Sequence, residues 1–264
     1  MSQAWLPDGW RTAGGRRTEV SAAAGFELPA RHDWPVVLHY GALVLRPMRW
    51  RDAAPLRALR ERNRSWTGPW DATSPAGLGS PAMSASRLVR LQRQNGREAS
   101  QLSWLLAWDQ EESGAAGAPA QAPAIGQLSV AGISYGSARS GTIGYWIDKG
   151  FAGHGLMPIA VAMASDYCFQ VLRLHRLEIC LRPENRPSRR VAEKVGFAFE
   201  GTRPRYLHID GDWRDHSVYV MTDETRPEGG VVWALTHGVA PHALLGGGLA
   251  SAPGSQEDES DSNV

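Results

Sequence analysis

The pattern of apolar and polar positions divides the chain into three parts. Residues 1 to about 35 carry no sustained period: Gly14-Gly15-Arg16-Arg17 and Ala22-Ala23-Ala24-Gly25 fit neither a helix nor a strand. They are expected to form an N-terminal arm, partly disordered, with Trp5, Trp10 and Trp34 available to dock part of it. From 41 to 224, strand-like and helix-like stretches follow one another as in a single domain. From Thr225 the chain is punctuated by Gly and Pro and ends on Gln256-Glu257-Asp258-Glu259-Ser260-Asp261. So acidic a run cannot bury enough apolar surface to order itself, and 225–264 is expected to be a disordered tail.

Within the domain, strands are predicted at 42–47, 102–108, 125–133, 142–147 and 176–181. Two more, at 203–209 and 217–221, flank Asp210-Gly211 as a C-terminal hairpin. Asp52 is a candidate cap for a helix carrying Leu56 and Leu59. Helical spacing recurs at 83–94, at 156–172 (the longest) and at 187–195, which Gly196 stops. Residues 111–124, rich in Ala, Gly and Pro, read as a surface loop between strands. The order implies an α/β (α+β) sandwich of roughly 180 residues.

Charge and composition narrow the function. There are 28 Lys+Arg against 27 Asp+Glu, a formal +1. That balance gives no whole-molecule field for nucleic acid, so no direct nucleic-acid partner is expected. Cys168 and Cys180 lie in apolar surroundings without Cys-x-x-Cys spacing, as reduced, packed thiols do. No metal site is expected. Residues 231–250 are mildly apolar but hold Thr236, His237, Pro241 and Gly246-Gly247-Gly248, short of the roughly 18–20 apolar residues of a membrane span. A soluble cytoplasmic protein, with no membrane partner, is the expectation.

The most informative stretch is Tyr145-Trp146-Ile147-Asp148-Lys149-Gly150-Phe151-Ala152-Gly153-His154-Gly155-Leu156-Met157-Pro158. A strand runs into a glycine-bearing loop that opens a helix. Backbone N–H groups at such a junction are unpaired and sit at the positive end of the helix dipole, which suits a pyrophosphate. Alone, the glycine pair equally describes a tight turn without a ligand. A Walker loop is excluded because no Gly-Lys-Ser/Thr follows, and the third glycine of a dinucleotide fingerprint is missing.

Downstream, the stretch from Leu174-His175-Arg176-Leu177-Glu178 through Arg182-Pro183-Glu184-Asn185-Arg186-Pro187-Ser188 to Val195-Gly196-Phe197 resembles the second half of the GNAT N-acetyltransferase fold. With Ile143-Gly144-Tyr145-Trp146, Gly201 to Tyr206 and Asp210-Gly211-Asp212-Trp213-Arg214-Asp215-His216, it is similar to the ribosomal-protein-alanine acetyltransferases of the RimJ/RimL type. The resemblance implies a mixed, mostly antiparallel central sheet flanked by helices, with acetyl-CoA as cosubstrate. The acceptor it implies is the N-terminal α-amine of a protein, a ribosomal protein in the first instance, and the state a monomer or homodimer. It also implies cofactor contacts from Tyr145, Trp146, Ile147, Gly150, Gly153, His154, Gly155, Leu156, Met157, Asn185 and Ser188. Where many members carry Arg or Gln at the start of the loop, this chain has Gly150.

Asn185 and Ser188 match the family's Asn-x-x-Ser; Asn185 is equally placed to cap the following helix, and Ser188 to be a solvated polar residue. The resemblance makes Ser188 the acid that meets the leaving thiolate. The glutamate base of the RimL branch falls here on Leu207, so Glu178, on the strand face of Cys180, is the substitute candidate, with Tyr206 a further candidate acid. A salt-bridged carboxylate and a hairpin-packing tyrosine are the alternatives. Asp215-His216 reads as a dyad or as a hairpin hydrogen bond. Trp70 and Asp71 resemble an acceptor-side loop, where an aromatic wall and a carboxylate suit an amine terminus. Two rival functions stay open: acetylation of a small amine such as an aminoglycoside or polyamine, and a CoA-binding module without turnover.

Overall fold

The computed structural model describes residues 28, 29, 31–75, 84–109 and 122–239. Most of the N-terminal arm, most of the 111–124 loop and the acidic end of the tail lie outside these residues.

One sheet of eight strands has the order β1-β2-β3-β4-β5-β6-β8-β7. The strands are β1 Leu38–Tyr40, β2 Leu43–Pro47, β3 Leu102–Trp108, β4 Ala124–Ser134, β5 Ser140–Ile147, β6 Arg176–Leu181, β7 Ala198–Ile209 and β8 Asp212–Thr222. Neighbours run antiparallel except β5 and β6, which are parallel. The helices are α1 Ala53–Arg62, α2 Arg64–Thr67, α3 Ala85–Arg97, α4 Leu156–Asp166, α5 Arg186–Val195 and α6 Val231–Thr236. The last turns of the predicted long helix, Tyr167–Val171, widen to π geometry.

The two faces of the sheet are covered differently. α4 lies against α5, α6 and strands β1, β2, β4 and β5, and nine of its eleven residues are buried. A helix enclosed on several sides can be apolar all round, as Leu-Met-Pro-Ile-Ala-Val-Ala-Met-Ala is here. α1 and α3 cover the opposite face through β4 and β3. That layer holds a small apolar cluster, Met48, Val89 and Leu105, and a buried ion pair. Arg46 donates to both Asp52 carboxylate oxygens, at 2.7 and 2.9 Å, and the Arg49 N–H adds a third bond at 2.7 Å. Burial would raise the Asp52 carboxyl, but those hydrogen bonds and charges hold it below its ordinary value.

Both ends of the domain extend past the predicted limits. Trp34 is buried, packing on Trp104 with its ring over Gly96, where a Cβ would come within 2.4 Å of it. At the other end, within the predicted tail, α6 buries Val231, Val232 and Ala234. Its first N–H groups, on Val231 and Val232, donate to the Asp166 carboxylate of α4 at 2.7 and 2.9 Å. A six-residue helix shows too few apolar positions to register as a period, so only its docking reveals it.

Candidate active site

β5 and β6 pair over Ser140–Thr142 and Arg176–Glu178 alone, although β5 continues to Ile147 and β6 to Leu181. Beyond Thr142 the strands part, and their facing edges leave backbone N–H and C=O groups without the ladder partner a sheet supplies. A cleft of about 710 Å³ occupies this opening. It is bounded on one side by the start of α4 and α5 and on the other by the loop after α2.

The α4 side is made mainly of backbone. Gly153 and Gly155 have φ of 83° and 76°, the left-handed region open to glycine, and Gly155 is the N-cap of α4. Both line the cleft, as do Leu156, Met157 and Pro158. The first turn of a helix has free N–H groups, and Pro158 contributes none to be satisfied. Gly150 departs from expectation. It does not line the cleft, and its N–H donates to the buried Asp148 carboxylate at 2.9 Å, closing the Lys149–Phe151 turn. Burial would raise the Asp148 carboxyl, but hydrogen bonds from Arg62 and the Gly150 N–H hold it low. His154 likewise lies off the cleft lining.

Tyr145, Trp146, Ile147, Asn185 and Ser188 all reach the cleft. Asn185 caps α5, accepting the Ser188 N–H at 3.1 Å. The Ser188 hydroxyl donates to the Tyr145 hydroxyl at 3.0 Å, which lies 3.1 Å from the Ser188 carbonyl, to which it donates in turn. Burial pushes the Tyr145 phenol far above its ordinary value, so it stays protonated. The hydroxyl partnership joins β5 to α5 across 43 residues of sequence, and no local pattern announces it.

The opposite side is made of side chains. Trp70 and Asp71 line it. Asp71 accepts from Thr67 Oγ1 at 3.1 Å and pairs with Arg60 at 3.4 Å. The Arg60 guanidinium lies 4.4 Å from the Trp146 ring centroid, and that of Arg182 5.5 Å from Trp70. An Ala72–Ile209 bridge and the Thr73 N–H to the His208 carbonyl, at 2.8 Å, pin this loop to β7. Gln92 of α3 also lines the cleft, and its side-chain oxygen has no hydrogen-bond partner among the described residues.

Two of the catalytic candidates do not reach the cleft lining either. Glu178 is clamped by Arg176 and Arg203, each at 2.8 Å, and so serves as an ion-paired strand carboxylate. Arg203 arrives from β7, two strands away in the sheet, which the alternation of β6 could not disclose. Tyr206 packs at the hairpin, under the Arg203 guanidinium and edge-on to His216. Leu207 does line the cleft, and offers it carbon only.

His216 is the residue that chain order undervalues. It is 2% exposed and lines the cleft. Its Nδ1 lies 3.0 Å from the Arg214 carbonyl. A carbonyl only accepts, so Nδ1 carries the proton and Nε2 a lone pair. Burial lowers the imidazole's affinity for a second proton. The Arg182 charge adds to this, against the Arg214 carbonyl and the charges of Asp215 and Glu184. The hairpin hydrogen bond considered for His216 therefore exists, and it leaves a neutral ring whose Nε2 has no partner among the described residues.

With this geometry in place, comparison with known proteins is direct. The family model of the acetyltransferase (GNAT) domain matches residues 42–198. The chain belongs to the GNAT family. It is 28% identical to the [ribosomal protein uS5]-alanine N-acetyltransferase of Escherichia coli over 180 residues, 68% of this chain and 87% of that protein. It is 43% identical to the probable N-acetyltransferase YjcK of Bacillus subtilis over 97 residues, 37% of this chain and only 54% of that protein. Among solved structures, Mycobacterium smegmatis RimJ in complex with CoA-disulfide superposes with a TM-score of 0.64 at 31% identity, covering 81% of this chain and 92% of that one.

The protein is thus an acetyl-CoA-dependent N-acetyltransferase of RimJ-like GNAT type. The GNAT cosubstrate fits what is present: the parted β5 and β6 edges suit an amide-bearing arm, and the left-handed glycines before α4 suit its pyrophosphate. No group of three or more His, Cys, Asp or Glu able to hold a metal occurs among the described residues. No helix among them is long and apolar enough to cross a membrane.

Proposed function

We propose that this enzyme acetylates the N-terminal α-amine of a protein, of ribosomal-protein-alanine type, in the cytoplasm. One observation carries the choice of acceptor. Among the described residues lining the cleft, Asp71 is the sole carboxylate, and it is already paired with Arg60. Arg182, Arg190 and Lys194 line the same cleft. A polyamine or aminoglycoside would carry several positive charges into this surface, whereas a peptide terminus brings one. The similarity to the uS5-alanine enzyme points the same way.

Acetyl-CoA supplies the acetyl group as a thioester. Gly153, Gly155 and the first N–H groups of α4 hold its phosphates, and Asn185 and the β5 edge hold its arm. An α-amine, with a pKa near 7.7–8.0, is about one-tenth neutral at pH 7. His216 Nε2 takes the proton that the attacking amine loses. As the amine nitrogen bonds to the carbonyl carbon and the C–S bond breaks, the Ser188 hydroxyl turns its hydrogen from the Tyr145 hydroxyl, 3.0 Å away, toward the departing thiolate and stabilises it by a hydrogen bond while keeping its own proton.

The test offers acetyl-CoA with three acceptors at pH 7: an Ala- or Ser-starting peptide, its Nα-blocked lysine-containing counterpart, and spermidine. Thiol release and mass spectrometry should show fastest transfer to the free N-terminus. Faster transfer to spermidine or to the lysine side chain would refute the reading.

A further inference from the structure

A second groove, of about 670 Å³, lies outside the catalytic cleft, between Trp50 and the outer face of α3. Arg90, Arg93 and Arg97 line it. With Arg87 they follow one another at intervals of three, three and four residues. At about 100° per residue the four side chains fall within roughly 120° of arc, on one face of the helix. Among the described residues none of their guanidiniums makes an ion pair or hydrogen bond. The acid in the groove is Glu98, at the helix end, bonded to Gln94 at 3.0 Å. Like charges three and four residues apart destabilise a helix, so this face is held against its own repulsion. Among the described residues Trp50, 72% exposed, is the most exposed large hydrophobic residue, and its ring packs on no other ring.

We propose that this groove binds a single-stranded or looped segment of RNA. The guanidinium fork matches phosphate oxygens in pairs, and all four cations are Arg rather than Lys. Successive arginines rise about 4.5–6 Å along the axis, the scale of neighbouring phosphates on a strand. An exposed indole beside them offers a face on which a base stacks. An acidic peptide would use the arginines but has no base for Trp50. The near-zero net charge does not oppose this, because it sums over the whole chain and conceals a basic face whose guanidiniums are unpaired among the described residues.

The position gives the groove a use. Gln92, on the other side of α3, lines the catalytic cleft, so one helix carries the arginine face and part of the cleft wall. An acceptor protein that is bound to RNA would be engaged at both surfaces. RNA binding itself does not depend on which amine is acetylated, and it is measurable without acetyl-CoA.

The experiment is a fluorescence-anisotropy titration of the full chain with a fluorescein-labelled 12-nucleotide single-stranded RNA, from 50 to 200 mM KCl. The triple variant Arg90→Ser, Arg93→Ser, Arg97→Ser should bind at least tenfold more weakly at 50 mM. Its slope of log affinity against log salt should be shallower by about 2, at roughly 0.7 for each phosphate no longer neutralised. Trp50→Ala should bind about tenfold more weakly with the slope unchanged, since stacking releases no counterions. Unchanged acetyl-CoA affinity and melting temperature establish that the variants are folded. Equal RNA binding by wild type and triple variant overturns the proposal. So does competition by poly-glutamate as effective as by unlabelled RNA of equal charge, which would make the groove an acidic-peptide surface.

Discussion

The two halves of the catalytic cleft are built by different means. The cofactor half is backbone: left-handed glycines, the opening turn of α4 and the free edges of two parted strands, all resting on a helix buried nearly throughout. The acceptor half is side chain: Arg60 on Trp146, Asp71 between Arg60 and Thr67, Arg182 over Trp70, and His216 behind them. Backbone groups suit a cosubstrate that is always the same, since they need only the right conformation. Side chains can be exchanged without disturbing the sheet, so on the proposed reading the acceptor half is where specificity would be set. Changes in the cofactor half should therefore be severe and indifferent to acceptor, and those in the acceptor half milder and acceptor-dependent.

The largest effect is expected from ending the chain after residue 229. This strips α6 from α4, exposing the surface that Val231 and Val232 cover and leaving the Asp166 carboxylate without two of its donors. A loss of about 4 kcal/mol or more should appear in denaturant unfolding. A stability within about 1 kcal/mol of the full chain would mean that α6 is an ornament on the cofactor half.

Gly155→Glu places an anion and a side chain at a φ of 76°, where the pyrophosphate is expected. Acetyl-CoA affinity should fall more than about 100-fold by calorimetry, on electrostatic and steric grounds together. Gly150→Ala is the control within the same loop. Its N–H is committed to Asp148 and a Cβ there makes ordinary contact at 3.5 Å, so its affinity should stay near wild type. Equal losses in the two variants would undo the division of the loop.

Ser188→Ala should lower turnover about 10–100-fold while acetyl-CoA affinity changes little, because a thiolate is already a fair leaving group. Tyr145→Phe should produce a smaller loss. Wild-type turnover in Ser188→Ala would reduce that hydroxyl to a polar residue at the start of α5.

His216→Ala should cost roughly tenfold at pH 7 and simplify the pH profile. In the wild type, activity should rise through an imidazole step below the usual 6.5 and again through the amine's own pKa. The variant should keep the amine step alone. Stability carries the same sign. The folded-state pKa lies below the unfolded one, so the neutral ring's contribution is fully present above about pH 6.5 and is lost as pH falls through the folded value. Retention of the acidic step in His216→Ala would assign it to another group.

The smallest effect belongs to Asp71→Asn. The Arg60–Asp71 pair is about two-fifths exposed, and pairs so placed contribute little. The KM for an N-terminal peptide should rise a few-fold, with that for acetyl-CoA unchanged. A shift in the acetyl-CoA KM instead would show that the halves are not separable.

Much of this is legible in the chain itself. The predicted bounds of β3 and β6 match the observed ones to the residue, since a run such as Leu-Ser-Trp-Leu-Leu-Ala-Trp between polar stretches has few other ways to be buried. The glycine loop, the Asn185 cap and the GNAT resemblance follow from local pattern, because turn conformation and capping are decided within a few residues. Tertiary structure alone decided the rest. Glu178 is a fair choice of base by strand alternation, until Arg203 crosses from β7 to pair with it. His216 becomes the cleft's free imidazole because β8 sets its depth and the Arg214 carbonyl its tautomer. Ser188 meets Tyr145, and α6 meets Asp166, across 43 and 65 residues of chain. Local sequence determines backbone conformation because its energies act between near neighbours; which carboxylate is paired and which nitrogen is free depends on contacts that exist only once distant strands have come together.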